Sequence, residues 1–260
     1  DIFADLAAIE TQFHHLVRCL PASGRVIANA DEPALDRVLA RGCWSQLERF
    51  GERYAAGWHA RDVSEGGEHA FDVACGEQVF GRLRLPVAGA HNRMNALAAI
   101  AAADHAGVAP TVAIEALAEF QGVKRRLELR GTVDGVAVYD DFAHHPTAIA
   151  LTVAGLRRRV GAARILAVLE PRSNTMKLGT MKAALPEALR EADQVFCFGA
   201  REGKAALGWD PAEALAPLGE RAASFHEIDA LVLAVTAAAR AGDHVLVMSN
   251  GGFGGVHQKL

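Results

Sequence analysis

Two carboxylates and two imidazoles crowd into the run Tyr139-Asp140-Asp141-Phe142-Ala143-His144-His145-Pro146. The run falls where an apolar strand gives way to a helix. Open α/β sheets gather ligand chemistry at such junctions, because strand ends meet helix N-termini with unpaired N–H groups. A carboxylate there can accept hydrogen bonds from ribose hydroxyls, and His144 can face a phosphate or a reacting acyl group. One carboxylate of the pair and His144 are therefore the candidate catalytic groups. Helix capping accounts for Pro146 at a first helical position, with His145 or Thr147 as part of the cap. It does not account for two consecutive acids ending a strand.

Three other stretches carry polar groups suited to ligands. In Gly89-Ala90-His91-Asn92-Arg93-Met94-Asn95, the two asparagines lie three apart on the first turn of a helix and so share a face. Their carboxamides can both donate to and accept from a nucleobase edge, or they can serve only as an N-cap and a polar exposed turn. Glu170-Pro171-Arg172-Ser173-Asn174-Thr175-Met176-Lys177 follows the apolar run Ile165–Leu169. Arg172 can grip a carboxylate in a fork, Ser173 and Asn174 add neutral hydrogen bonds, and Lys177 adds a point charge. Ser173, Asn174 or Thr175 also suits an N-cap, and both uses can hold together. Ser249-Asn250-Gly251-Gly252-Phe253-Gly254-Gly255 follows another strand, with glycines that permit positive φ and close ligand approach. It is not a G-x-G-x-x-G fingerprint. Arg125-Arg126 reads either as a solvated pair or as a guanidinium near a nucleotide's phosphate or ribose.

The elements that must position these groups alternate along the chain. Ile2, Leu6, Ile9, Phe13, Leu16, Val17 and Leu20 predict a helix with one apolar face over 1–20. A buried strand follows at Arg25–Asn29, a helix at 32–41, and small antiparallel edge strands over 46–86, broken by Gly51, Gly57, Gly66-Gly67, Gly76 and Gly81. Helices are expected at 91–106 and 110–119, then a basic hinge at Gln121–Arg126. Beyond it, Leu127–Val133 and Val136–Asp140 flank Asp134-Gly135, a type I′ hairpin signal. Helices at 146–159, 176–191 and 228–240 then alternate with strands at 164–169, 194–198, 222–226 and 243–248. That rhythm predicts an α/β fold in two domains, 1–124 and 125–260, the second with a Rossmann-like, mostly parallel sheet.

Composition narrows the class. The chain has 260 residues, 51% hydrophobic, with a formal net charge of -4, which allows a real core and gives no basic stripe for nucleic acid. Its four cysteines, Cys19, Cys43, Cys75 and Cys197, are far apart, so neither a disulfide framework nor a zinc site is expected, and a reducing cytoplasm fits. No apolar run approaches the ~20 residues of a membrane span. The acidic, amphipathic start is not a signal peptide, and a chain opening on Asp1 is expected to be a piece of a longer protein. No phosphate-binding G-x-x-x-x-G-K-[ST] occurs; Glu202-Gly203-Lys204-Ala205 comes nearest.

Gly89-x-His91-Asn92-x-x-Asn95, Phe120-x-Gly122-Val123-x-Arg125-Arg126 and Asp140-Asp141-x-Ala143-His144-His145-Pro146, in that order, resemble the motifs of the Mur ligases. These are ATP-dependent amide-forming enzymes of peptidoglycan assembly. The resemblance implies that residues 1–124 are the C-terminal part of an ATP-binding central domain, and 125–260 a whole acceptor-binding domain. It implies His91, Asn92 and Asn95 on the adenine side of ATP, and Arg126 and Asp141 on its phosphate–ribose part, which makes Asp141 the candidate catalytic carboxylate beside His144. Arg172, Ser173, Asn174, Lys177, Ser249 and Asn250 would meet the incoming peptide. Tyr139–Thr147, Leu169–Lys177 and Val247–Leu260 are similar in particular to the branch that joins recovered L-alanyl-γ-D-glutamyl-meso-diaminopimelate to UDP-N-acetylmuramate in cell-wall recycling. The family reaction makes an acyl phosphate from the muramyl carboxylate and ATP, which the peptide amine then attacks, with Mg²⁺ neutralising charge. The UDP-sugar domain, the P-loop and the magnesium ligands are expected upstream of Asp1, so the chain alone is expected not to ligate. The branch that adds L-alanine to the same nucleotide sugar shares the Asp-Asp run, and a non-catalytic nucleotide- or peptide-binding module is the alternative from another class.

Overall fold

The structure, a computed structural model, describes residues 2–64, 69–87, 89–203 and 206–260. Gly66-Gly67, among the expected strand breaks, and Lys204-Ala205 of the near-P-loop lie outside the described residues. The chain divides into two compact units, one ending at Gly122 and the other running Val123–Leu260.

The first unit contains α1 (Leu6–Cys19), β1 (Arg25–Asn29), α2 (Pro33–Ala40), β2 (Gln46–Phe50), β3 (Trp58–Arg61), β4 (Ala70–Cys75), β5 (Gln78–Arg84), α3 (Ala90–His105) and α4 (Pro110–Ala118). Its strands form one sheet in the order β1-β2-β3-β4-β5. The expectation of small antiparallel strands over 46–86 holds for β3, β4 and β5 but not for β2, which pairs parallel with β1 from Arg25↔Gln46 to Asn29↔Phe50. The reason is α2: a helix between two strands makes a crossover, and a crossover returns the chain in the same direction. Trp58, Phe71, Val73, Leu83, Leu97, Ile100 and Ile114 form the core under α3 and α4. The apolar stripe of α1 is largely uncovered: Leu6, Phe13 and Leu16 are exposed, and the buried positions are Glu10 and Val17. Glu10 holds α1 to α2 through Arg37 and Arg41.

The second unit contains β6 (Glu128–Val133), β7 (Val136–Asp141), α5 (Pro146–Val160), β8 (Ile165–Leu169), α6 (Asn174–Lys177), α7 (Leu185–Ala188), β9 (Gln194–Phe198), α8 (Pro211–Leu215), β10 (Ala222–Phe225), α9 (Ile228–Ala238), β11 (His244–Met248) and α10 (Val256–Lys259). The sheet order is β10-β9-β8-β11-β7-β6, parallel except for the β6–β7 hairpin. Asp134 at φ 49° and Gly135 at φ 78° supply the two left-handed residues that a type I′ turn needs. All five residues of β8 are buried, as expected of a central parallel strand covered on both faces. One face packs Ile149, Val153 and Leu156 of α5 with Leu185 and Leu215, and the other packs Leu231 and Val235 of α9 with Phe253 and Val256.

The single helix expected over 176–191 is broken. Ser173 caps α6 by accepting from the Met176 N–H, the chain turns at Gly179 (φ 76°), and a 3₁₀ turn at Lys182–Ala184 leads into α7. Trp209 closes this break, donating from its indole N–H to the Met176 carbonyl at 2.6 Å and lying against Gly179, where a Cβ would sit 2.9 Å from its ring. Among the described residues no helix is long and apolar enough to cross a membrane.

Candidate functional site

In the second unit, the chains leaving β7 and β8 lead to helices on one face of the sheet, while the chain leaving β11 leads to α10 on the other. Where neighbouring strands send their connections to opposite faces, a crevice opens at their carboxyl ends. Asp140–Asp141, Glu170–Arg172 and Ser249–Gly251 all lie at such ends.

Both acids ending β7 are buried. Asp141 directs its oxygens into the protein: one accepts from the Leu127 N–H at 2.8 Å, and the other from the Ala143 N–H at 2.7 Å and the Thr152 hydroxyl at 3.3 Å. Burial pushes its pKa up, against the pull of those two backbone N–H groups and the Arg126 charge. As placed, Asp141 ties the start of β6 and the first turns of α5 to the end of β7. Asp140 lies between the Arg125 guanidinium, with Nε at 3.3 Å, and the His257 imidazole, with Nε2 at 3.1 Å. Burial lowers the His257 pKa, and the Asp140 charge opposes that shift.

His144 is half-buried beside Phe142, its ring edge-on to the phenyl at 5.4 Å. Its Nδ1–H donates to the Phe142 carbonyl at 3.0 Å, which leaves Nε2 of the neutral ring as an acceptor. His145 caps α5, its Nδ1 accepting from the Thr147 N–H at 3.3 Å.

Arg125 and Leu127 both adopt positive φ, 59° and 49°, so Arg126 sits between two left-handed residues and remains exposed. Both arginine guanidinium groups lie over the Phe142 ring, Arg125 at 5.2 Å and Arg126 at 5.9 Å. Their roles differ: Arg126 faces outward, whereas Arg125 points into the unit and donates from Nη2 to the carbonyls of Ser249 at 2.6 Å and Gly251 at 3.0 Å.

The β8 and β11 ends are joined by a buried pair. The Ser249 hydroxyl donates to Glu170 Oε2 at 2.5 Å and accepts from the Gly251 N–H at 3.0 Å. Ser249 is 0% exposed, so it shapes the turn from beneath and presents no surface to a ligand. Arg172, in contrast, is exposed and lies so close over Gly251 that a Cβ there would sit 2.2 Å from Nη1. Asn250, next to it, keeps a buried side-chain oxygen with no hydrogen-bond partner among the described residues. Asn174 and Lys177 stand on α6, with Lys177 half-buried. The structure thus gathers Arg172, Ser249 and Asn250 around one turn, and Asp140, Asp141 and Arg125 at the adjoining strand end. Thr152 and His257 carried no signal in the sequence; Arg125 was visible only as half of an arginine pair, and Glu170 only as the acid that opens the stretch after an all-apolar strand.

In the first unit, His91, Asn92 and Asn95 occupy the opening turns of α3, with His91 and Asn95 exposed and Asn92 half-buried. Neither asparagine is the cap; Gly89 takes that position at φ 104°. Among the described residues, no group of three or more His, Cys, Asp or Glu converges as a metal site.

Residues 125–251 match the Mur ligase glutamate ligase domain, and residues 1–103 match the Mur ligase middle domain. The chain belongs to the Mur ligase superfamily. This Mur ligase chain is 49% identical over 261 aligned positions to a UDP-N-acetylmuramate–L-alanyl-γ-D-glutamyl-meso-2,6-diaminoheptandioate ligase of Escherichia coli K12, covering 100% of the chain and 56% of that protein. It is 33% identical over 258 positions to a UDP-N-acetylmuramate–L-alanine ligase of Acidothermus cellulolyticus, covering 96% of the chain and 54% of that protein. A crystal structure of a murein peptide ligase from Psychrobacter arcticus superposes with a TM-score of 0.75 at 36% identity, over 99% of the chain and 55% of that structure. The Mur ligase chain therefore spans about half the length of the relatives it matches.

Proposed function

We propose that this chain is the C-terminal part of an ATP-dependent ligase that joins L-alanyl-γ-D-glutamyl-meso-diaminopimelate to UDP-N-acetylmuramate. The observation that carries this reading is the gap between two similarities over nearly the same stretch: 49% to a tripeptide ligase and 33% to an L-alanine ligase. The crevice of the second unit is in keeping with it. The tripeptide brings carboxylates that L-alanine alone does not, and the exposed Arg172 beside Asn250 offers a fork and an amide to receive one. Ser173 acts in this reading through its cap on α6, which aims Asn174 and Lys177.

The division of labour follows the two units. Residues 1–124 belong to the ATP-binding side and 125–260 to the acceptor-binding side. His91, Asn92 and Asn95 would take the adenine edge, and the exposed Arg126 the ribose or phosphates. ATP and Mg²⁺ supply the activating phosphoryl group and its charge neutralisation in this family. Among the described residues no group of three or more His, Cys, Asp or Glu converges to hold the Mg²⁺, so in this reading the chain contributes contacts to the nucleotide and not the metal ligands. In this reading His144, anchored through Nδ1 on the Phe142 carbonyl, meets the reacting group with Nε2. Asp141 serves it by fixing the turn.

The test is competition. The full-length protein carrying this chain is given ATP, Mg²⁺ and UDP-N-acetylmuramate with equal tripeptide and L-alanine, and the nucleotide-sugar product is weighed by mass spectrometry. Tripeptide incorporation is expected, with no product from the 260-residue chain alone. Incorporation of alanine instead overturns the reading.

A further inference from the structure

The side chain of Arg125 links three segments that are far apart in sequence. Its Nε lies 3.3 Å from Asp140 at the end of β7, and its Nη2 reaches the carbonyls of Ser249 and Gly251 beyond β11. On the far side of Asp140 stands His257 of α10, so one buried carboxylate is flanked by the linker arginine and by the C-terminal helix. The backbone of Arg125 is held as firmly. Its N–H donates to Glu128 at 2.8 Å, and its carbonyl accepts from the Phe142 N–H at 2.8 Å. These contacts keep a non-glycine residue at φ 59°, a conformation that L side chains rarely adopt. Strain of this kind persists only where the surroundings over-determine it, and it clusters at functional sites.

The left-handed residues at 125 and 127 turn successive side chains in opposite senses: Arg126 outward to solvent and Arg125 inward under the Ser249–Gly251 turn. That turn carries Asn250 and is the floor against which Arg172 lies. We infer that Arg125 is a positioning residue that locks the Ser249–Gly251 turn to the strand-end acid Asp140, and so sets the placement of Asn250 and Arg172. It touches no substrate itself. The proposal that this turn receives the acceptor rests on the function given above; the lock does not.

Two readouts on the full-length protein separate the two. The first is hydrogen exchange over residues 249–252, where the Gly251 N–H is held by Ser249 Oγ at 3.0 Å. The second is the KM for tripeptide set against the KM for ATP. Arg125→Met leaves two carbonyls and Asp140 without their donor, and about tenfold or greater loss of exchange protection is expected from groups of this kind. Tripeptide KM should rise about tenfold on the same scale, with ATP KM within about twofold. Arg125→Lys restores part of both, having one point charge instead of a fork. His257→Gln keeps Arg125 and should change both only slightly, and it serves with Arg125→Lys if Arg125→Met does not fold. Unchanged protection at 249–252 in folded Arg125 variants overturns the lock; lost protection with a KM increase that falls on ATP instead upholds the lock and overturns the turn's role in receiving the acceptor. Lost protection in a protein whose wild type accepts no tripeptide upholds the lock and sinks the proposed function.

Discussion

Replacing Asp141 separates a carboxylate that holds a turn from one that holds a nucleotide. In Asp141→Ala, the Leu127 and Ala143 N–H groups lose acceptors at 2.8 and 2.7 Å, while the Thr152 hydroxyl, 3.3 Å away, can rotate to another partner. A buried N–H left unsatisfied costs about 1–3 kcal/mol. Two of them, less the relief of no longer burying a charge, give about 2–4 kcal/mol. Asp141→Asn keeps one acceptor and turns an NH₂ toward the other N–H, so about half that loss is expected. For a unit of this size the alanine variant should melt lower by roughly 10 °C. The pH dependence has a definite sign. The folded pKa of Asp141 is raised, so on acidification the native state binds its proton before the unfolded chain does. Wild type therefore gains stability relative to Asp141→Asn as the pH falls from the raised folded value to the unfolded value of about 3.9. The assay is urea or thermal unfolding of the second unit, followed beside ATP binding by the full-length protein. Variants that unfold with wild type yet bind ATP far more weakly would refute the reasoning, because the carboxylate would then face the ligand.

Gly251→Ala puts a methyl 2.2 Å from Arg172 Nη1 and 2.8 Å from its Cδ, so the side chain must swing away. Stability should change by no more than about 0.5 kcal/mol, since the far end of a side chain yields easily. The tripeptide KM in steady-state assays should rise about tenfold with the loss of one charged contact; an unchanged KM would remove Arg172 from the acceptor site. His257 has a folded pKa lowered by burial, so it costs nothing above its unfolded value of about 6.5 and progressively destabilises the fold as the pH falls below it. His257→Gln should therefore lose less stability than wild type between pH 7 and pH 5, read as urea midpoints; parallel losses would count against a neutral half-buried ring.

Strands bounded by turn residues were legible in the sequence: β1 and β9 coincide with the expected residues, and the Asp134-Gly135 pair does turn the β6–β7 hairpin. What escaped depended on distant partners. Met181, Leu185 and Leu189 have helical spacing, yet the helix expected from 176 breaks at Gly179, where Trp209 supplies the packing and a hydrogen bond to the Met176 carbonyl. No local pattern announces a tryptophan thirty positions downstream. The direction of β2 was misjudged for the opposite reason, because the deciding feature, the intervening α2, was already in view. Glycine breaks suggested hairpins, but strand direction follows from what connects the strands.

The site shows a sharper limit, because residue type gives a side chain's chemistry and not its heading. Asp141 and Ser249 were chosen as groups able to meet a ligand, and both are buried with their polar atoms occupied by the protein. Arg125 and Arg126 are the same residue type side by side, yet the positive φ on either side of Arg126 sends one inward and the other out. A crevice at strand ends needs both kinds of group. Strand ends and glycine-rich turns leave backbone donors and acceptors unpaired, and those must be satisfied before a neighbouring side chain can be held at a fixed angle to a ligand. The acids and the serine meet that need, and in the proposed function Arg172, Arg126 and Asn250 are then left for recognition. A strand-end cluster rich in carboxylates is thus better searched for the cations it steadies than for the carboxylates themselves.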